Sequence, residues 1–376
     1  MWRLAAFSAI RRLHGDKHAM RIAFIGHIYH RKTGSSDFLL DLIAPHGQVE
    51  RFSVDDLGGA AYRSWRRDFE AARYDLIIVW QVQFVLADLP GDHPNVVFVP
   101  MYDAQVSGGR IHWNDALSAR KIVCFSRTLH DEIEPYGVSA YSATYFPDPA
   151  KYESIDNFDD LRGFFWYRRQ QIPPELIFKL MENYSFARLE LHNAPDPGHE
   201  SAGNWPCPPA VGALNITTWS SANADYRAIL RGCNVFFAPR LYEGIGLSLL
   251  EAMASGMCVI APDRPTMNEY VRSGENGLLY DPNAPHPLDF SKARELGSRA
   301  RQTVEEGFTR WQAQIPGLLD FVLQPGSGRV AGRAVKVTPR ARALGMLNTL
   351  KRRWPALGAL VGAAAVSVAR LVRRAR

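Results

Sequence analysis

The chain has 376 residues, which is long enough for two domains that each bury a full core. Its 47% hydrophobic and 22% charged residues are typical of an ordinary globular protein. The formal net charge of +6 is unevenly spread, because residues 326–376 hold twelve Lys or Arg and no acid, whereas the other residues carry 32 basic and 38 acidic side chains. This distribution excludes a uniformly basic surface and indicates an anionic partner for the tail alone.

The first nineteen residues contain Trp2, Leu4 and Phe7 among arginines, and their apolar part is too short and too broken for a signal peptide. Residues 1–19 are therefore interpreted as an N-terminal extension outside the fold. Two origins stay open: a second amphipathic contact with a membrane, or a misplaced start.

Short apolar segments that alternate with helical stretches predict a first α/β domain over residues 20–148. Its buried strands are expected at residues 22–26, 75–80, 95–100 and 121–125. A loop over residues 27–36 and a helix over residues 38–43 are expected after the first strand. The alternation indicates a parallel sheet with helices on both faces. The first strand is not followed by G-x-G-x-x-G, which disfavours a dinucleotide dehydrogenase.

A proline pair at Pro147 and Pro149 breaks this pattern and marks a hinge, after which a second α/β domain is predicted over residues 149–325. It opens with a strand at residues 163–167, and later strands are expected at residues 234–238 and 258–261. The glycines of residues 326–328 indicate a linker to the tail.

A glycine loop and a helix lie between the last two of these strands. Leu247, Leu250 and Ala254 fall at helical spacing, and Gly256 suits a left-handed stop. In a strand–loop–helix–strand unit, the loop lies at the carboxyl edge of the sheet, where open α/β folds bind ligands. Glycines in the loop allow close approach of a ligand, and the helix start offers free N–H groups to a phosphate.

Two glutamates, Glu243 and Glu251, flank this loop at a spacing of eight positions. Carboxylates accept hydrogen bonds from sugar hydroxyl groups, so Glu251 could bind the ribose of a nucleotide and Glu243 a second sugar beyond the diphosphate. A structural alternative stays open on spacing alone, namely a solvent-facing Glu251 and a Glu243 that only favours the positive helix end.

The segment around these glutamates resembles the E-x7-E signature of retaining GT-B glycosyltransferases, the group 1 set also called glycosyltransferase family 4. The likeness continues through Asn268-Glu269 and the Gly-Glu-Asn-Gly of residues 274–277, and it is strongest over residues 224–282. It implies an α/β fold of two Rossmann-like nucleotide-fold domains facing across a cleft, with the acceptor on the first domain and the donor on the second.

The resemblance also implies roles for individual residues. Glu251 would hold the nucleotide ribose, while Glu243 and the amides after it would hold the donor sugar and diphosphate. The implied donor-binding residues of the second domain are Gly244, Ile245, Gly246, Leu247, Ser248 and Glu251.

Further positions follow the family pattern less closely. Arg168 and Arg169 follow the strand that opens the second domain and could neutralise the departing diphosphate, although the family's lysine a few residues later is missing. Gly34 occupies the family's glycine-rich loop near the diphosphate. Tyr102-Asp103 replaces a common His-Asp pair, so only Asp103 is expected to contact acceptor or donor sugar. A surface pair for the arginines and a loop role for Gly34 and Asp103 stay open.

The implied reaction is transfer of a sugar from a nucleotide-diphosphate sugar to an acceptor hydroxyl group with retention, by a hexosyltransferase-type enzyme. No D-x-D triplet occurs and the four cysteines lack metal-ligand spacing, so neither a metal nor another cofactor is expected. Two alternatives stay open: a nucleotide-sugar epimerase of the same fold, and a non-catalytic membrane-associated sugar-nucleotide binder.

The basic tail carries an apolar run of sixteen residues, 354–369, between arginine clusters. As a helix it would span roughly 24 Å, short of a hydrocarbon core of ~30 Å. Residues 341–376 are therefore predicted to lie on an anionic inner membrane face; a spanning helix and a disordered tail are the alternatives. The expected protein is cytoplasmic and peripheral, with a saccharide or lipid-linked acceptor in polysaccharide assembly and no nucleic-acid partner.

Overall fold

Two parallel sheets of six strands form the frame of the protein. The computed structural model describes residues 19–107, 110–111, 120–196, 198–200, 203–218, 226–328 and 330. The strands are β1 Met20–His27, β2 Gly47–Val54, β3 Leu76–Trp80, β4 Val96–Val99, β5 Val106–Ser107, β6 Arg110–Ile111, β7 Lys121–Cys124, β8 Ala140–Ser142, β9 Leu161–Tyr167, β10 Phe186–Asn193, β11 Leu214–Thr217, β12 Val235–Phe237, β13 Cys258–Pro262 and β14 Leu278–Tyr280.

The helices lie between these strands and after the last of them. They are α1 Ile28–Thr33, α2 Asp37–Ile43, α3 Ala60–Asp68, α4 Tyr102–Gln105, α5 Arg127–Ile133, α6 Pro174–Met181, α7 Tyr226–Arg231, α8 Leu247–Ala254, α9 Met267–Tyr270 and α10 Ala293–Leu323. Single 3-10 turns occur at Ala44–His46, Ala71–Arg73, Gln83–Ala87, Glu134–Tyr136 and Pro149–Lys151.

The first sheet has the strand order β2-β1-β3-β4-β7-β8, and β5 pairs with β6 in a separate antiparallel ribbon. Successive residues of β1 enter different apolar clusters: Ile22 and Phe24 belong to one, and Ala23 and Ile25 to another. Since side chains alternate across a strand, both faces of the sheet are covered. Burial on both faces explains why its central strands are continuous apolar runs.

The second sheet has the order β11-β10-β9-β12-β13-β14, with parallel pairing throughout. Phe164 and Phe236 enter one apolar cluster, and Phe165 and Phe237 enter another. The chain reverses direction along the sheet between β9 and β12, as it does between β1 and β3 in the first sheet. Ligands of open α/β sheets bind outside the carboxyl ends of the strands at such switch points.

One apolar cluster is shared by the two sheets. It contains Trp80 of the first sheet and Phe236 of the second, together with Met101, Ile245 and Trp311. The two inner sheet faces therefore contribute to a common core, which holds the loops at their carboxyl ends near each other.

The long helix α10 connects the domains physically. Its earlier turns pack against α8 and β13, whereas the carbonyl groups of its last turn are bound by the first domain. Asn95 Nδ2 donates to the oxygen of Val322 at 3.0 Å, and Lys121 Nζ donates to those of Phe321 and Gln324 at 2.6 Å each. Burial lowers the pKa of Lys121 to about 8. These bonds satisfy carbonyl groups that a helix end leaves without partners.

The expected α/β fold of two parallel-sheet domains is confirmed, and each strand predicted from the sequence is present within one or two residues. The expected loop over residues 27–36 is wrong in part, because α1 lies within it. His27 explains this helix start, since its ring nitrogen accepts a hydrogen bond from the Tyr29 amide.

The expected linker at residues 326–328 is also corrected, because these residues bind to the first domain. The Gly326 amide donates to Pro94, and the Ser139 amide donates to Gly328. The division at residue 148 stays a prediction, with one sheet on either side of it. Residues 1–18 of the expected N-terminal extension and the membrane contact of residues 341–376 lie outside the described residues.

Candidate functional site

The carboxyl ends of β9 and β12 bring two arginine-bearing segments to the switch point of the second sheet. Arg168 and Arg169 follow β9, and Arg240 follows β12 by three residues. Because parallel strands end at the same edge, these cations lie at the same edge of the sheet as the loop over residues 239–246. This edge therefore combines positive charge with a glycine loop, and the roles of these residues in ligand binding stay predictions.

The glycine loop enters α8 through a left-handed residue. Gly246 precedes the helix with φ 79°, a region that residues with a Cβ rarely adopt. Ile245 is buried, and Leu247 and Ser248 form the first turn, whose N–H groups have no acceptor within a helix. The expected left-handed stop at Gly256 is also present, with φ 78°.

At Gly244 the constraint is space rather than backbone conformation. A Cβ atom at this position would lie 2.5 Å from Sδ and 2.9 Å from Cβ of Met101, a residue of the first domain. The glycine therefore allows close contact between the two domains, and its predicted role in donor binding stays a prediction.

A buried cluster of charges joins the two domains beside this loop. Arg240 Nη2 lies 2.8 Å from Asp103 Oδ2, and Arg240 Nη1 lies 3.4 Å from Glu243 Oε2. The side chains of Arg240, Asp103 and Glu243 are only 11%, 9% and 13% exposed. The cluster combines two predicted site residues, one from each domain, through an arginine to which the sequence assigned no role.

The charges of this cluster depend on one another. Burial raises the pKa of Glu243 above its usual range, Asp103 and Asp196 act in the same direction, and Arg240 and Arg168 oppose the rise. Burial alone would lower the pKa of Arg240, but the surrounding carboxylates hold it above its usual value. Arg240 therefore remains a cation that stabilises the charged form of its neighbours.

Arg168 and Arg169 are both bound by Asp196, which lies in the segment after β10. Arg168 Nη2 lies 2.8 Å from Asp196 Oδ1, and Arg169 Nε lies 2.8 Å from Oδ2. The Arg168 guanidinium also stacks over the Trp166 ring, 4.9 Å from its centroid. Burial alone would raise the pKa of Asp196, but the two arginines hold it below its usual range. One carboxylate therefore holds both cations in a fixed pair.

Glu251 lies on the second turn of α8 and is half-buried. Its Oε1 accepts a hydrogen bond from the Tyr152 hydroxyl at 3.5 Å. Burial, with a smaller effect of the Glu251 charge, raises the pKa of Tyr145 to about 12. The phenol groups of Tyr152 and Tyr145 thus lie near Glu251.

Gly34 ends α1 in the first domain with φ 63°, and a Cβ there would lie 2.9 Å from Asp37 Oδ2. Its predicted contact with a donor stays a prediction. The neighbouring His30 binds the Ser35 hydroxyl at 2.7 Å, while its buried Nε2 has no hydrogen-bond partner in the described part of the chain. Burial and the nearby His27 lower the pKa of His30 to about 4.

Glu269 forms a second polar contact between the domains. Its Oε1 accepts from the Ser126 hydroxyl at 2.8 Å and the Thr128 amide at 3.0 Å, and its Oε2 accepts from the Arg127 amide at 2.8 Å. A carboxylate from the second domain thus covers the N-terminus of α5 in the first. Glu269 belongs to the segment that resembles the family, but the sequence does not predict this contact.

Sequence reasoning missed Arg240, Asp196 and His30. A signal for Arg240 existed, since a cation three residues before Glu243 can contact it. No local signal connects Asp196 with the arginines, because that contact depends on the position of β10 beside β9.

In the part of the chain that the structure describes, no group of three or more His, Cys, Asp or Glu is arranged to hold a metal ion. None of the described helices is long and apolar enough to cross a membrane.

This geometry agrees with comparisons to known proteins. Residues 213–292 match the family model of Glycosyl transferases group 1. The match includes the loop over residues 239–246, the helix α8 and both glutamates of the motif.

Two curated relatives match parts of the chain. A sucrose synthase of Acidithiobacillus caldus is 40% identical over 135 residues, which are 30% of this chain and 17% of that protein. An α-maltose-1-phosphate synthase of Mycolicibacterium smegmatis is 37% identical over 98 residues, which are 22% of this chain and 25% of that protein. The matched segments thus span a quarter or less of these relatives.

Solved structures resemble most of the chain. Anabaena Alr3699/HepE in complex with UDP and glucose has a TM-score of 0.57 and 16% identity, covering 80% of this chain and 99% of its own. Sucrose-phosphate synthase of Thermosynechococcus elongatus has a TM-score of 0.56 and 16% identity, covering 80% and 98%. At this identity the likeness shows the fold, which is that of GT-B proteins.

Proposed function

We propose that the protein is a glycosyltransferase that moves a sugar from a nucleotide-diphosphate sugar to an acceptor hydroxyl group, with retention and without a metal. The observation that carries this proposal is the position of Glu243 and Glu251 on either side of a glycine loop at a switch point. The matching family model covers the same residues. Ligands that contain phosphates and hydroxyl groups fit this combination of amides and carboxylates.

The donor would extend across the loop. Glu251 binds the ribose, the amides of residues 244–248 bind the diphosphate, and Glu243 binds the transferred sugar. A uridine nucleotide is the first candidate, since the Anabaena neighbour forms complexes with UDP and with UDP-glucose. A hexosyl donor fits the names of the two curated relatives.

The arginines would stabilise the leaving group. Arg168 and Arg169 are bound by Asp196 in this structure, and a donor diphosphate would exchange with that carboxylate as their partner. Charge on the departing phosphate is then neutralised in a partly buried crevice, where such interactions are strong. Gly34 of the first domain would lie beside the same diphosphate.

The acceptor side of the reaction would be formed by the first domain. In the retaining reaction the acceptor attacks from the face that the diphosphate leaves, and the departing phosphate takes the proton of the acceptor hydroxyl. The new glycosidic bond forms as the bond from sugar to diphosphate breaks. Asp103 orients acceptor or donor hydroxyl groups, so catalysis depends on positioning and on charge stabilisation.

The experiment that tests this function is thermal stabilisation by UDP, GDP, ADP, CMP and dTDP. A ligand at a hundred times its dissociation constant adds ~2.7 kcal/mol, which shifts the melting temperature by several degrees. We expect one nucleotide to stabilise the wild type and to lose its effect in Glu251→Ala. Glu243→Ala should bind the free nucleotide like wild type but lose the additional stabilisation by the nucleotide sugar.

Product analysis with the labelled donor separates the alternatives. Transfer to an acceptor supports the glycosyltransferase, an epimerised donor supports the epimerase, and an unchanged bound donor supports a non-catalytic binder. If no nucleotide stabilises the protein, the proposed function is wrong.

A membrane-linked saccharide is the proposed acceptor in polysaccharide assembly, with the protein at the inner membrane face of the cytoplasm. The support is the basic tail, where an apolar run lies between arginine clusters. Because residues 326–328 bind to the first domain, the informative deletion is residues 341–376. That variant should keep nucleotide binding and lose sedimentation with anionic vesicles; unchanged sedimentation would contradict the proposed contact.

A further inference from the structure

Arg240 occupies an unusual position among the charges of the candidate site. It belongs to the second domain by sequence, yet its closest carboxylate is Asp103 of the first domain at 2.8 Å. The same guanidinium contacts Glu243, three residues later, at 3.4 Å. A single planar cation thus connects two carboxylates that come from different domains.

The bonds of Arg240 use one oxygen of each carboxylate. They occupy Asp103 Oδ2 and Glu243 Oε2. In the part of the chain that the structure describes, Asp103 Oδ1 and Glu243 Oε1 have no hydrogen-bond partner. Both oxygens remain available as acceptors for hydroxyl groups, and the guanidinium holds the two carboxylates near each other.

We propose that Arg240 is a positioning residue that connects Glu243 to Asp103 across the domain boundary, so that both carboxylates stay charged and each offers one oxygen to a bound sugar. This inference rests on the proposed nucleotide-sugar site and assigns its sugar subsite. It predicts a role for Arg240 in binding the sugar of the donor, and none in binding the nucleotide.

The charged groups that act on Glu243 are the anions Asp103 and Asp196 and the cations Arg240 and Arg168. Removing Arg240 leaves Glu243 and Asp103 buried without their shared cation, which makes their ionised forms costly. The cost appears only when the pH is high enough to ionise both groups.

The first test measures melting temperature from pH 5 to pH 8 without any ligand. Arg240→Gln should lower the melting temperature. The decrease should be about 5 °C larger at pH 8 than at pH 5. The sign follows from linkage: a carboxyl group with a raised folded pKa destabilises the fold as the pH rises through that pKa. Arg240→Gln/Glu243→Gln should show a much smaller pH dependence, because one of the two unpaired carboxylates is gone.

Two further variants keep this test decisive. Arg240→Lys keeps the positive charge without the planar guanidinium, so its melting temperature at pH 8 should be closer to that of the wild type than that of Arg240→Gln is. If Arg240→Gln does not fold, Arg240→Lys is measured in its place. Arg299→Gln is the matched control, since Arg299 forms an exposed ion pair with Glu295 at 2.9 Å. An Arg240→Gln loss that is equal at every pH, or unaffected by Glu243→Gln, would overturn the proposal.

The second test compares dissociation constants for UDP and UDP-glucose, or for the pair with the base selected by the nucleotide panel. Arg240→Gln should weaken the nucleotide sugar about tenfold and leave the free nucleotide within about twofold of wild type. Equal weakening of both ligands would contradict a sugar subsite. If the wild type binds no nucleotide, the proposed function fails, whereas the pH series still decides whether Arg240 holds the two carboxylates.

Discussion

The loop over residues 239–246 and the helix α8 are adjacent in sequence and share one family signature, but they pack against different partners. The loop contacts the first domain through Gly244 with Met101 and through Arg240 with Asp103. The helix packs mainly against α10 and β13 of its own domain, and its Glu251 contacts Tyr152. A single motif therefore combines a segment whose polar contacts reach the first domain with a segment that packs mainly within the second.

Of these two segments, the loop should lose more stability when a side chain is enlarged. Gly244→Ala places a methyl group 2.5 Å from Sδ of Met101, so we expect a loss of about 2 kcal/mol in the free energy of unfolding. In Gly244→Ala/Met101→Ala the loss should be smaller than the sum of the two single losses by about 1 kcal/mol, because the variants share one contact. Urea denaturation measures all three; additive losses would show that Gly244 does not depend on the first domain.

Glu269 forms a second contact between the domains, and its contribution to stability can be tested in the same way. Glu269→Ala removes the acceptor of the Ser126 hydroxyl and of two amides at the start of α5. We expect a loss of about 2 kcal/mol in the free energy of unfolding, because these donors lose a charged partner.

Glu295→Ala is the matched control for Glu269→Ala, since Glu295 forms an exposed pair within α10 and should cost about 0.5 kcal/mol or less. Similar losses in the two variants would mean that the bonds across the domain boundary do not contribute.

The pKa of His30 allows a test in the first domain, beside the Arg240 cluster. Its folded pKa is about 4, below the ordinary value of 6.5, and the groups near it are His27, Gln81 and Asp103. Between these pH values the unfolded chain binds more protons than the folded chain, so stability falls as the pH is lowered from 6.5 towards 4. Since His30 is partly exposed, we expect a contribution of about 1–2 kcal/mol to this acid loss.

The measurement is unfolding free energy against pH for the wild type and His30→Asn. The variant should lose less stability between pH 6.5 and pH 4 than the wild type does. His286→Asn, which replaces an exposed histidine, should follow the wild-type curve. Identical slopes for His30→Asn and the wild type would contradict burial of a neutral His30.

Sequence predicted most of the central strands because burial on both faces makes them continuous apolar runs, as in Leu76–Trp80. The central strand Phe186–Asn193 was not predicted, since Arg188 and Glu190 interrupt its apolar pattern. The edge strand Gly47–Val54 was not predicted, since Glu50 and Arg51 interrupt its pattern and are exposed. The short helix Ile28–Thr33 was missed for a related reason: it has no apolar stripe, and its start depends on the His27 side chain.

The candidate site likewise contains features that the sequence predicts and features that it does not. The loop, the helix and the two glutamates are contiguous, so periodicity and spacing predict them. The pairing of Arg240 with Asp103 and that of Asp196 with Arg168 depend on how distant segments meet, and neither has a local pattern. Pairings between distant segments of the chain are therefore what sequence reasoning leaves out.

The smallest expected effect comes from Gly246, and it sharpens the contrast with Gly244. A Cβ at Gly246 would have its nearest neighbours at 3.8 Å, so volume is not the constraint, but φ is 79° and a left-handed alanine costs about 1 kcal/mol. Gly246→Ala should therefore lower the free energy of unfolding by about 1 kcal/mol, and Met101→Ala should add its own loss without coupling. Urea denaturation of the double variant decides: coupling at Gly246 would mean that the helix entry, like the loop before it, is held by the first domain.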